Sequence, residues 1–126
     1  MAQREQHERM KVRRPCVAHM RDQINYNQLK KYPFLYWSCP PDVGKQKPQT
    51  IAAMVLDGYE KGVFDMTIIA ANETEIKAWL IEFKWGKNDY TDEQKIIAKK
   101  AANTKVIALK LYSLDEFKLF VANNLK

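Results

Sequence analysis

"GVFDMTIIAANETEIKAWLIEFKWG", residues 62–86, decides how the chain folds. "VFDMTIIAA" and "IKAWLIEFKW" are β-branched and aromatic runs split by "NETE", the pattern of an antiparallel hairpin. Each run carries an acid, Asp65 and Glu82, where a purely structural sheet prefers an apolar or neutral residue. Side chains alternate along a strand, so Glu82 and Lys84 share one face while Ile81, Phe83 and Trp85 share the other. A turn over residues 72–74 sets positions near 65 opposite positions near 82, and the two carboxylates converge across the ladder.

Two carboxylates that close repel each other and hold protons more tightly unless a cation sits between them. Mg²⁺ answers that need, because it accepts one or two protein carboxylates, keeps several waters and takes further oxygens from a phosphate. Lys84, two residues on, is then placed to orient or deprotonate a water, or to neutralise charge building on a pentacovalent phosphorane. The chemistry is that of a phosphodiesterase. A plainer reading fits the same spacing: Asp65 solvates a strand start, and Glu82 with Lys84 forms an exposed ion pair worth under about 1 kcal/mol.

Outward from the hairpin, "TDEQKIIAKKAAN" reads as a helix, "KVIALKL" as a strand, and "SLDEFKLFVANNL" as a closing helix started by a Ser113/Glu116 capping box. The crossover from the second hairpin strand through a helix to "KVIALKL" returns parallel, so the sheet is mixed, with helices expected on both faces. Upstream, "PQTIAAMVLDG" is a helix with Pro48 in its first turn and Ile51, Met54 and Val55 as its apolar face. "YPFLYWS" is an aromatic strand and "CPPDVGKQKP" a loop. Residues 3–14 look helical without a clear apolar face. Pro15 is expected to interrupt them, and a second helix is expected over residues 17–31, with Met20, Ile24 and Leu29 on one side.

A chain of 126 residues makes one compact domain, and 46% hydrophobic with 11% aromatic content argues against wholesale disorder. No apolar run approaches the roughly 20 residues of a membrane span, and the charged start "MAQREQHERMKVRR" is unlike a secretory signal, so an intracellular protein is expected. Cys16 and Cys39 sit in no CxxC pair and only His7 and His19 stand beside them, which argues against zinc. The net charge of +6 is lopsided: residues 1–47 hold ten Lys/Arg against four Asp/Glu, whereas residues 48–126 hold eleven of each. Such asymmetry favours a phosphate-bearing partner or an acidic membrane surface.

"GVFD", then "IEFK", then "TDEQ" resemble the VRR-NUC branch of the PD-(D/E)XK nuclease superfamily. In that branch a helix, a Pro-containing basic loop and a Gly-x-x-Asp precede the Glu-x-Lys, and a Gln follows on the next helix. The similarity runs over residues 32–125 and includes "PPDVGKQK", where the family usually has Pro-Asn and basic residues. It implies an α/β fold, a restriction-endonuclease-like mixed sheet flanked by helices, in one nuclease domain over residues 1–126. Within it, residues 1–31 are a basic helical part and 32–126 the catalytic core. The implied activity is Mg²⁺- or Mn²⁺-dependent hydrolysis of DNA, in the cytoplasm of a bacterial cell or a phage-infected host.

Carried over by position, the resemblance makes Asp65 and Glu82 metal ligands, with the backbone carbonyl of Phe83 as a third, and Lys84 the catalytic lysine. Gln94 is expected to hold the attacking water or the phosphate, although Thr91 and Gln94 also fit a T-x-x-Q capping box. The family carries an acid on its first helix, and here the sequence departs from it. Glu8 is the expected supplier, with Glu5 and Asp22 as alternatives.

Arg13, Arg14, Lys45 and Lys47 form the expected phosphate-contact surface, which positions a backbone without reading bases. The absence of a sequence-reading module points to recognition of branched or flapped DNA by shape, Holliday junctions included. Paired cuts in a four-way junction call for a two-fold homodimer, expected to associate through residues 3–31 by way of Met10, Val12, Val17 and Met20. The alternatives are a nucleic-acid-binding module of the same fold that does not cleave, and a small interaction protein whose charges are structural.

Overall fold

The computed structural model describes residues 2–41 and 47–126, with side chains from residue 7 onward. Helix α1 (Ala2–Asn25) leads to strand β1 (Phe34–Ser38), helix α2 (Pro48–Leu56), the hairpin β2 (Met66–Ala71) and β3 (Ile76–Phe83), helix α3 (Asp92–Ala101), strand β4 (Val106–Leu111) and helix α4 (Leu114–Asn124). The four strands form one sheet in the order β1-β2-β3-β4, antiparallel except for the parallel β3–β4 pair. This is a restriction-endonuclease-like α/β fold: a mixed sheet flanked by helices. Among the described residues no helix is long and apolar enough to cross a membrane.

The hairpin forms where the sequence predicts it. Asn72 closes the turn by accepting at its side-chain oxygen from the Thr74 and Glu75 amides, each at 2.9 Å, while its own amide donates to the Glu75 carbonyl. That fixes the register at Met66 opposite Ile81, and one step further places Asp65 opposite Glu82.

One face of the sheet carries Met66, Ile68, Ala70, Trp79, Ile81 and Phe83, all buried, against Cys16 and Met20 of α1 and Phe117, Phe120 and Val121 of α4. Phe117 meets Phe83 edge to face, with centroids 5.7 Å apart. α3 packs on β4 from the other side. Among the described residues, that second face is exposed at the hairpin-turn end: Phe34 and Ile76, in register through Ala71, are 55% and 67% exposed.

One expectation fails at the N-terminus. α1 is one helix of 24 residues with Pro15 inside it, not two helices parted at Pro15. Proline costs a helix interior about 3 kcal/mol through its missing N–H and its clash with the preceding turn. Burial on both sides of it offsets that cost: Arg13, Cys16 and Met20 are buried, and Val12 and Val17 pack against the core. The same packing places Met20 wholly inside the chain's own core and sets Val12 and Val17 partly against it.

Candidate active site

Asp65 immediately precedes β2, and Glu82 lies in the last turn of the pleat of β3, so one rung of the hairpin presents both acids at one end of the sheet. Both are 4% exposed. The Asp65 amide donates to Glu82 Oε1 at 3.1 Å, and the Phe83 amide donates to Asp65 Oδ2 at 2.9 Å. Lys84, 7% exposed, sets its Nζ 3.3 Å from Glu82 Oε2. The exposed surface pair that the spacing also permits is thus excluded, because all three side chains lie inside.

α3 closes one wall. Gln94 is 4% exposed, and its Nε2 donates to the Val63 carbonyl at 3.3 Å. The Gln94 side chain also draws the Glu82 carboxyl down. Its Oε1 accepts from the Thr91 amide at 3.1 Å while Thr91 Oγ1 accepts from the Gln94 amide at 3.2 Å. The capping box and the site contact therefore coexist in one side chain. α3 reaches this position because Gly62, at φ +85°, lets it come close: a Cβ there would stand 2.8 Å from Glu93 Cβ.

α1 closes the other wall, and the side chains described there are arginines. Arg9 and Arg13, one helical turn apart, both donate from Nη1 to Asp65 Oδ1, at 2.8 and 2.9 Å. Arg13 also donates to the Pro40 carbonyl, tying the chain after β1 to the site. Glu8 is instead paired with Lys11 at 3.1 Å, and Asp22 is exposed on α1. The Glu5 side chain and Lys45 lie outside the described residues. Arg13, expected on an open phosphate surface, is buried in the site, whereas Arg14 and Lys47 are exposed. Sequence reading missed Arg9. The signal was present: Arg9, Val12, Arg13, Cys16 and Met20 recur at helical spacing, one inward stripe whose first members are charged.

The Glu82 carboxyl is pushed up to about 7, first by burial and then by the Asp65 charge, against opposing pulls from Gln94 and Lys84. A cation between the acids would relieve that repulsion, and the donors are hard oxygens of the type Mg²⁺ and Mn²⁺ prefer. In a strand the N–H and C=O of one residue point to the same side, so the Phe83 carbonyl is directed to the Asp65 side along with its amide. Among the described residues no three His, Cys, Asp or Glu side chains gather as a metal cluster. The donor set is thus two carboxylates and a carbonyl, which fits one hard ion that completes its shell with water or phosphate. No family model, curated protein or solved structure matches the chain.

Proposed function

We propose that the chain is a divalent-metal-dependent deoxyribonuclease of the VRR-NUC kind, selective for branched or flapped DNA such as four-way junctions. The observation that carries this reading is the buried Asp65–Glu82 pair with Lys84 Nζ 3.3 Å from Glu82. Buried charges are costly, and their concentration at one strand end is a signature of chemistry rather than of sheet stability.

Asp65, Glu82 and the Phe83 carbonyl would hold Mg²⁺ or Mn²⁺, which supplies polarisation of a phosphoryl oxygen and acidification of the attacking water. Lys84, as an ammonium, stabilises the charge that grows on phosphorus-bound oxygens as water adds and one P–O ester bond breaks, leaving a phosphate monoester and a hydroxyl end. Gln94, fixed at both ends by Thr91 and Val63, orients the water or the phosphate beside Glu82. A homodimer belongs to the proposal, since two-fold related cuts need two sites. Its interface has to use surfaces other than the buried stripe of α1. Light scattering decides it: a mass near 14.8 kDa with paired junction cuts defeats the dimer, and twice that mass supports it.

The test of the activity is incubation with linear, flapped and four-way DNA in Mg²⁺ or Mn²⁺, with the cuts mapped. Glu82→Ala and Lys84→Ala are expected to lower cutting by about 10²–10³-fold. Unchanged cutting in either variant defeats the assignment. One observation favours the second reading, a binding module that does not cleave: Arg9 and Arg13 already neutralise Asp65. DNA binding without cuts in either metal selects it.

A further inference from the structure

The second face of the sheet holds more than the two acids. Leu35 and Trp37 of β1 pack against the core, so Phe34 and Tyr36 point to the opposite face, where they are 55% and 54% exposed. Met66 is buried in the core, so its neighbour Asp65 lies on that same second face, with Glu82 beside it. Register places Phe34 in a row with Ala71 and Ile76, and Tyr36 in the next row with Ile69 and Ala78. Single exposed apolar residues need no explanation, but Phe34, Tyr36 and Ile76 share two adjacent rows of the face that carries the site. At about 3.3 Å per residue, the Tyr36 row lies about 13 Å along the strand from Asp65, and the Phe34 row about 20 Å. Between Tyr36 and the acids stands Ser38, exposed and in register with Thr67. The face thus runs from two rings through two hydroxyls to two carboxylates.

We propose that Phe34 and Tyr36 are a stacking platform for the single-stranded arm of a flapped or branched DNA, which leaves the acids and runs along β1 toward the hairpin turn. This rests on the nuclease reading and adds to it the residues that recognise the arm. Exposed aromatic rings on a sheet receive unstacked bases on their faces, whatever the sequence, because every base has a π-face. Alternate positions of a strand are about 7 Å apart on one face, so each ring takes its own base. Ser38 and Thr67 offer hydroxyls to the sugar and phosphate oxygens between the rings and the acids. The far end of the platform carries both signs of charge, Lys30 and Lys31 before β1 and Glu73 and Glu75 at the turn, all exposed, so the arm is held there by stacking rather than by ion pairs. A continuous duplex offers the rings no unstacked base. The platform therefore adds affinity only where an arm is present, and it selects DNA by shape without reading bases.

The test is fluorescence anisotropy of the full chain in a chelator, which leaves the DNA whole, on a duplex carrying an oligothymidine arm and on the same duplex without it. Phe34→Ala, Phe34→Leu and Tyr36→Ala are each expected to lower affinity for the armed duplex at least about fivefold, the low end of base–aromatic stacking, and to leave affinity for the blunt duplex unchanged. Tyr36→Phe keeps the ring and should bind as wild type does. The slope of log affinity against log salt should stay the same in all four variants, because no phosphate contact is lost. A 2-aminopurine placed in the arm should lose fluorescence on binding to wild type and keep more of it with Phe34→Ala. A wild-type 2-aminopurine signal unchanged by binding overturns the proposal without any variant. So do ring variants that weaken armed and blunt duplex alike, and ring variants that weaken neither. Light scattering tests a second copy as the occupant: a mass that falls from twice 14.8 kDa to 14.8 kDa in Phe34→Ala assigns the rings to contact between copies and overturns the platform. Ring-dependent binding of the arm with no cutting in Mg²⁺ or Mn²⁺ keeps the platform and sinks the nuclease, and cutting of flapped DNA with ring-independent binding does the reverse.

Discussion

Asp65 and Glu82 face each other across one rung, equally buried, yet their surroundings differ in kind. Asp65 is held by two guanidiniums from α1 and a backbone amide. Glu82 has one ammonium at 3.3 Å and neutral donors, and burial with the Asp65 charge raises its carboxyl to about 7. The hairpin makes the two positions equivalent, and the helices on either side make them unlike. Local register chooses which residues meet, and tertiary packing chooses the partners that surround each of them.

The difference gives opposite consequences for stability. Asp65→Ala removes the acceptor for Arg9, Arg13 and the Phe83 amide, and leaves a buried guanidinium uncompensated, which costs about 3–5 kcal/mol. Urea denaturation at neutral pH measures it. A loss below about 1 kcal/mol would mean that the arginines find other partners, and the contrast between the two acids would weaken. Relief of repulsion alone, the effect expected from two acids without other partners, would have made the same variant neutral or more stable.

Glu82 behaves the other way. Its folded-state value of about 7 lies above the ordinary 4.5, so between these values the folded protein binds more protons than the unfolded chain. The stabilisation is full below the unfolded value and is lost as pH rises through about 7. At 1.36 kcal/mol per unit, metal-free protein should lose roughly 3 kcal/mol between pH 4.5 and pH 8 through this one group. Glu82→Gln should flatten that decline, measured by chemical denaturation in a chelator across the pH range. An unchanged pH profile in the variant would assign the decline to other groups.

The hairpin, its turn and the Asp65–Glu82 opposition were legible because they depend on residues at most 20 apart, on strand alternation and on turn chemistry. So were α3, α4 and the parallel β4, each announced by a cap or a β-branched run. Burial of the site was not legible, since alternation says only that Glu82 and Lys84 leave the apolar face, not that α3 covers them with Gln94. The role of α1 was hidden for a different reason. Its buried stripe runs through Arg9 and Arg13, and an amphipathic pattern with charge on its inner face looks like no pattern. Pro15 then gave a strong local stop signal that tertiary packing overrode.

That override is open to measurement. Pro15→Ala restores a donor to the carbonyl of Lys11 and removes the ring clash, in a helix whose residues on both sides are already anchored. A gain of about 1–2 kcal/mol is expected, less than the full proline penalty of about 3 kcal/mol because the helix has adapted around the ring. A loss of stability would show that a bend at Pro15 is what aims Arg9 and Arg13 at Asp65, and cutting should then fall with it.

Arg13 and Arg14 supply the smallest effect and the narrowest comparison, two adjacent arginines of one helix, one turned inward and one outward. Arg13 is buried against Asp65, and Arg14, like Lys47, is exposed. An exposed cation that meets a DNA phosphate releases condensed counterions and adds about one unit to the slope of log affinity against log salt. Arg14→Ala and Lys47→Ala should each lower that slope by about one on every DNA form alike, and leave the cutting rate of bound complexes and the protein's stability within about 0.5 kcal/mol of wild type. Titrations of linear and four-way DNA at several salt concentrations read the slope, and single-turnover cutting at saturating protein reads the rate. A slope unchanged in both variants would remove these two residues from the DNA path and leave the positive excess of residues 1–47 to the arginines inside the site.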